Sequence, residues 1–242
     1  MKLNNLKLYV AMTLIVANTT LKAQDILIGI SGGGATFGMN STKEFNQTIV
    51  SLLPFTPVLT DNFPPYFYFK GEFLYCFHKN LALGLNVSST STGARLSLAD
   101  YSGKYTLDNI QKGYFPGVKL LLGEAPGKSN GINFSLEGGV AFSNMIIKED
   151  LKISGESASD EYELSSMGFF VQPGLNYFLC INSKVRFSAD LSYYFGIEKG
   201  YHLAGSKDQK LLNSKTREPI KPQWDGIRLG ITAYWSFWNN TK

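Results

Sequence analysis

Residues equipped for chemistry are few in this chain of 242 residues. There are two histidines, His78 and His202, and two cysteines, Cys76 and Cys180. Scattered in this way they cannot supply the clustered ligands of a zinc site, so no metal site and no cofactor is expected. His202 lies in the segment HLAGSKD beside Ser206 and Asp208, the residue types of a Ser/His/acid hydrolase acting on lipid. A loop lacks the rigid support such a triad needs, so His202 is read as solvated and no catalytic residue is assigned. His78, beside Lys79 and Asn80 in a short turn, is read the same way. The run Gly32-Gly33-Gly34 sits within a strand-like stretch, where glycine marks close packing or a kink rather than a phosphate loop.

Seven charged residues stand out for their setting: Lys70, Glu72, Lys119, Glu137, Arg186, Asp190 and Arg228. Each occupies the polar phase of a stretch whose other phase is apolar. The clearest is YFYFKGEFLYCFH, residues 66–78. One face reads Phe67, Phe69, Gly71, Phe73, Tyr75, Phe77; the other reads Tyr66, Tyr68, Lys70, Glu72, Leu74, Cys76, His78. Large apolar side chains on one face, with Lys and Glu at mid-strand on the other, invert the soluble pattern. Pointing inward, those aromatics would overfill a small barrel; facing lipid, they need no cavity.

The same alternation recurs in Leu81–Ser88, Gly113–Gly123, Ile132–Phe142, Met167–Leu179, Val185–Phe195 and Ile227–Phe237, and more weakly in the Gly-rich Ile26–Gly38. That predicts eight strands of about ten residues, the length of a tilted bilayer crossing. Connections alternate strictly. Those at 78–80, 124–131 and 180–184 are short, whereas about 39–65, 93–112, 148–163 and 198–224 are long. The expected fold is therefore all-β: an eight-stranded antiparallel transmembrane β-barrel with short periplasmic turns and four long extracellular loops. A soluble β-sandwich or lipocalin-like fold is the alternative, and it has no reason to sort its loops by length.

The N-terminus agrees. Lys2 and Lys7 precede the apolar run Leu8–Ala17, and the polar stretch Asn18–Ala23 follows. This is the anatomy of a secretory signal, with cleavage expected near Ala23 although Leu21 is not small. The division expected is residues 1–23 as signal peptide and residues 24–242 as barrel. Removing the first segment takes away Lys2, Lys7 and Lys22 and no acid, so the formal charge falls from +4 to +1. The basicity thus belongs largely to the signal and gives no support to nucleic-acid binding. Beyond it, no apolar run is long enough for a transmembrane helix.

In such a barrel the seven charges face the lumen. In-phase pairing brings Lys119 beside Glu137, Asp190 opposite Gln172 and Arg186 opposite Asn176. A salt-bridged plug is expected, with a proton or ion path as the alternative. Cys76 and Cys180 fall on opposite sides of a ring about 15 Å across, beyond the roughly 7 Å Cα limit of a disulfide, so two free thiols are expected. In the first long loop, Ser41-Thr42-Lys43-Glu44 reads as a capping box. Phe45, Ile49, Leu52 and Leu53 before Pro54 then predict a short amphipathic helix packed on the other loops. The third long loop is acidic (Glu149, Asp150, Glu156, Asp160, Glu161, Glu163) and the fourth basic (Lys199, Lys207, Lys210, Lys215, Arg217, Lys221). Two consequences are open: the loops pair and close the top, or the fourth binds the anionic sugars of lipopolysaccharide.

The exported start, the eight strands and the closing GIRLGITAYWSFW together resemble the small outer-membrane β-barrel proteins of Bacteroidetes, the PorT-like or outer-membrane-protein β-barrel family. The resemblance spans residues 24–238 and rests on pattern rather than on a diagnostic motif. It departs at the end, where Asn239-Asn240-Thr241-Lys242 follows Trp238 instead of the chain stopping on an aromatic. It implies location in the cell outer membrane and contact with the lipid bilayer and lipopolysaccharide. It also implies a part in type IX protein secretion as one possible role. From the residues themselves, the expected role is structural or one of interaction, with an envelope protein partner met through the loops and no enzymatic activity. A narrow channel and a lipid-modifying hydrolase are the alternatives.

Overall fold

A computed structural model describes residues 25–78, 80–101, 103–123, 130–153, 156–182, 184–206, 209–214 and 216–237. The expected signal peptide, the tail after Phe237, Lys79, most of the 124–131 turn, Lys207, Asp208 and Lys215 lie outside the described residues. The order of elements is β1 (Asp25–Ala35), α1 (Asn40–Leu52), β2 (Val58–Asn62), β3 (Tyr66–His78), β4 (Leu81–Asp100), β5 (Gly103–Gly123), β6 (Gly131–Ile153), β7 (Glu156–Cys180), β8 (Val185–Glu198), β9 (His202–Leu203) and β10 (Gly226–Ser236). All strand pairings are antiparallel. β1 pairs with both β3 and β10, and β4 with β5, so eight strands close in the ring β1-β3-β4-β5-β6-β7-β8-β10. The short β2 and β9 are appended above it, on β4 and β7. This is the architecture of an eight-stranded antiparallel transmembrane β-barrel.

The two phases of the sequence become the two walls of the ring. Phe67, Phe69 and Phe73 on β3, Leu85 and Val87 on β4, Leu136 on β6, Phe169 and Leu175 on β7, Phe195 on β8 and Leu229 and Ile231 on β10 are all exposed outward. All seven charged residues are buried inside. The interior is tight enough to require glycine at places: a side chain at Gly29 would stand 2.7 Å from the ring of Tyr234.

Two of the four long connections are not loops. β4 and β5 run on to a tight hairpin at Asp100↔Gly103, and β6 and β7 to one at Ile153↔Glu156. Four strands therefore rise together as one sheet above the barrel. From Tyr114 to Gly103 this is about 35 Å of strand. The change of wall along β4 explains the sheet. From Leu81 to Val87 the outward positions are large and apolar, and the inward ones are Ala82, Gly84 and Asn86, small or polar. From Gly93 to Ser97 the outward positions are Gly, Arg and Ser, and the inward Ala94 and Leu96 are buried. The outer apolar belt ends near one row, where Ser89 pairs with Tyr114, Tyr114 with Phe142 and Phe142 with Met167; above it come buried polar residues such as Thr92, Gln111, Asn109 and Ser143, and then the inward apolar ones. Above it the sheet is an ordinary soluble one, with its apolar face turned in.

What covers that inner face is α1 and the 199–225 connection. Phe45, Ile49, Val50 and Leu53 pack with Phe55, Tyr201 and Ile220 against Leu96, Tyr105, Leu107, Met145, Ile147 and Leu164. The helix is where the periodicity places it, but the capping box is absent. Met39, in the left-handed conformation, precedes the helix, and no side chain caps it. Ser41 instead takes its place in the contact with the last connection: its N–H donates to Gln223 Oε1 at 2.7 Å and its hydroxyl accepts from Lys221 N–H at 3.2 Å. Tertiary partners have replaced the local cap.

Candidate functional site

The lumen is filled in layers. At its lower end Arg186 Nη2 donates to Asp25 Oδ2 at 2.6 Å, and Ser236 donates to the other carboxylate oxygen at 2.5 Å. An apolar layer of Leu27, Leu74, Cys76, Ala82, Leu121, Phe178 and Tyr234 lies next. The middle holds four charges in a square. Lys70 Nζ is 3.0 Å from Glu137 and 3.5 Å from Glu72, and Lys119 Nζ is 2.9 Å from Glu72 and 3.5 Å from Glu137. Asn86 donates to Glu137 at 2.8 Å and the Tyr234 hydroxyl donates to Glu72, so every carboxylate oxygen of the pair is engaged. The side chains of all four charged residues are at most 7% exposed. Two cations and two anions at this depth offset one another's desolvation only as a set.

Asp190 and Arg228 behave differently. Asp190 forms no ion pair among the described residues; Asn176, Ser188 and Thr232 all donate to its carboxylate. Arg228 forms no ion pair among the described residues and lies among rings, its guanidinium carbon 4.2 Å from the centroid of Tyr194, 4.9 Å from Phe115 and 5.9 Å from Tyr68. Its Nε and Nη2 have no hydrogen-bond partner among the described residues. These rings belong to the upper plug, in which Phe115 meets Trp224 edge-on at 5.7 Å and Phe170 stacks on Tyr194 at 5.2 Å. Phe37, Met39 and Phe63 complete it.

The alternation thus brings all seven predicted charges into the lumen, and Lys119 faces Glu137 as the phase requires. Two other pairings differ. Asn176, not Gln172, stands opposite Asp190, and Cys180, not Asn176, stands opposite Arg186. β7 runs through Cys180 and β8 begins at Val185, so the register lies four residues from the expected one. An even offset leaves every face unchanged. Neither Cys76 nor Cys180 forms a disulfide. Closure of the top by opposite loop charges, one of the two alternatives, is not seen among the described residues. Among the described residues no ion pair joins the acidic hairpin to the basic connection; Lys148 pairs with Glu161 within the hairpin at 2.8 Å. That pair continues a row across four strands, Arg95–Asp108–Lys148–Glu161, in which Arg95 Nε lies 2.5 Å from Asp108.

His202 has a rigid neighbour that its sequence surroundings do not reveal. β9 sets it opposite Ser165 of β7, with the hydroxyl 3.2 Å from its Nε2. Ser206 instead turns back on Leu203 through its own N–H at 3.0 Å. Among the described residues no carboxylate pairs with His202 and no group of acids, His and Cys is placed to hold a metal ion.

The molecule is thus a barrel turned inside out, apolar without and charged within. No protein-family model matches the chain, and no curated protein sequence matches it. Solved structures similar in fold include the attachment invasion locus protein Ail of Yersinia pestis, at 14% identity and TM-score 0.36 over 88% of this chain and 97% of that one. The outer membrane protein OprG of Pseudomonas aeruginosa is similar at 14% identity and TM-score 0.42, over 89% and 97%. Neisserial surface protein A is similar at 10% identity and TM-score 0.35, over 89% and 98%. At such identities and scores the likeness carries nothing about what this chain does.

Proposed function

We propose that this chain is an integral outer-membrane protein, exported behind residues 1–23, whose barrel is a closed anchor and whose raised sheet is an extracellular platform for interaction. The observation that carries the proposal is the row Ser89–Tyr114–Phe142–Met167, at which the outward apolar belt gives way on four strands to a mostly polar outer face, while buried apolar residues (Leu96, Leu107, Met145, Leu164) line the inner face above it. A soluble protein has no use for such a row, whereas the edge of a bilayer imposes one. The same belt supports contact with lipid and the acyl chains of lipopolysaccharide. The basic residues of the last connection, Lys199, Lys210, Arg217 and Lys221, are exposed and suit its anionic sugars. A part in type IX secretion rests on the PorT-like resemblance alone.

The test is to fractionate cells and run the outer-membrane sample on a gel with and without boiling. A barrel held by closed strand pairing resists SDS until heated, so the band is expected to move. An unshifted band from the soluble fraction would overturn the proposal.

A further inference from the structure

The raised sheet ends on one side in an open edge. β7 pairs with β6 along its whole length, from Ile153↔Glu156 downward. On its other side β8 reaches only Gly168, and β9 adds two pairs, Leu164↔Leu203 and Ser165↔His202. The chain then continues that strand for one more bond, Ala204 N–H donating to Glu163 C=O at 2.9 Å, and turns away at Gly205, whose φ is +88°. From Glu156 to Tyr162 no described residue pairs with this side of β7, and every residue there is exposed. The direction of the free groups follows from the Glu163 bond. In an antiparallel ladder N–H and C=O of one residue point to the same side, and sides alternate along the strand. Glu163 points to the open side; so do Ser157, Ser159 and Glu161.

The side chains along this edge select what can add to it. Residues 156–163 hold Glu156, Asp160, Glu161 and Glu163 and no cation; Glu161 is shared with Lys148 of β6 at 2.8 Å, and Glu163 stands opposite Ile146. Alternation places Glu161 and Glu163 outside, with Ser157 and Ser159; Glu156, Asp160, Ala158 and Tyr162 lie inside, in phase with the buried Leu164. Acids on an edge deter a second copy of the same edge, because identical strands would set carboxylate against carboxylate. They favour a strand with Lys or Arg beside the acids and an apolar side chain over Tyr162.

From this geometry we infer that β7, from Glu156 to Tyr162, is a docking edge that takes a basic extended segment of another polypeptide as an added strand, in line with β9. Main-chain hydrogen bonds to Ser157, Ser159 and Glu161 hold the segment, and the carboxylates choose it. The inference rests on the platform reading above and names the kind of partner the platform meets.

The experiment uses the mature chain in lipid nanodiscs and a fluorescent peptide as long as the free edge, alternating Lys and Val. Saturable binding is expected, with slowed hydrogen exchange at Ser157, Ser159 and Glu161. Ser159→Pro removes one N–H from the open side and none from the β6 ladder. It should weaken binding about tenfold while the heat-shifted band remains. A peptide N-methylated at alternate residues, which cannot complete a ladder on one side, should fail against the unaltered protein. Equal binding by Ser159→Pro or by the N-methylated peptide would reduce the effect to charge attraction and overturn the inference. So would slowed exchange elsewhere than this edge. Loss of the heat shift in the unaltered protein would instead sink the membrane reading, so the two failures are distinguishable.

Discussion

Two buried cations in one lumen should respond oppositely to removal. Lys119 stands between Glu72 and Glu137 with its side chain fully buried. Lys119→Met leaves two carboxylates sharing Lys70, and removing one member of such a set costs about 3–5 kcal/mol. The temperature at which the gel band shifts should fall sharply. The double change Lys119→Met with Glu72→Gln should recover much of that loss, because it removes a charge of each sign. Arg228 gives up less. It touches rings rather than carboxylates, and two of its nitrogens have no hydrogen-bond partner among the described residues. Arg228→Met trades a cation–π contact of about 2 kcal/mol against the relief of burying an unsatisfied guanidinium. Its band should shift within a few degrees of the unaltered protein, and a fall as large as that of Lys119→Met would show that Arg228 has an anion partner. Both residues were legible as lumen-facing from the alternation alone. Their difference was not, because it depends on which side chains of strands distant in sequence share a height in the barrel.

Among the elements, the cap over the barrel mouth hangs on a relay from loop to sheet to helix. The Tyr201 hydroxyl donates to Gln111 Oε1 at 2.9 Å, and Gln111 Nε2 donates to Thr42 at 3.0 Å. Gln111→Leu leaves Tyr201 and Thr42 without these bonds, at about 1–3 kcal/mol for the buried groups. Proteolysis of α1 should accelerate while the barrel band still shifts on heating. Burial, and to a smaller extent the negative charge of Glu198, hold the Tyr201 phenol well above its ordinary value of 10.0. The raised value means that the folded cap retains a proton the unfolded one releases. Its contribution to stability is therefore complete below about pH 10 and declines as pH rises towards the folded value. Protease sensitivity of the cap should increase above that pH, and Tyr201→Phe should flatten the dependence. The sequence showed α1 but not its anchoring, since Ser41 and Glu44 match a capping box that tertiary bonds displaced. It hid the upper halves of β4 to β7 for a clearer reason. The period of two continues there, but the apolar phase changes sides, so a search for one continuous apolar face loses the strand at the bilayer edge. Leu96 and Leu98 against Arg95 and Ser97 are as regular as Leu83 and Leu85 against Gly84 and Asn86.

Taken as one body, the barrel is closed twice. The upper plug of Phe115, Phe170, Tyr194 and Trp224 and the lower layer of Leu27, Leu74, Phe178 and Tyr234 lie on either side of the charged square. Ion passage would have to cross two apolar layers in series and to break a neutral set of salt bridges between them. Purified protein in planar bilayers should therefore give no conductance steps at either polarity. Opening one layer should not change this. Phe115→Ala alone leaves the lower layer intact, and Phe178→Ala alone leaves the upper. Only the double variant joins the polar middle to water on both sides, and there brief openings are expected, narrow because Lys70, Glu72, Lys119 and Glu137 still occupy the centre. Steady conductance from the unaltered protein would contradict the layered plug and make the charge square an ion path. Steps from one single variant would show that the other layer does not seal.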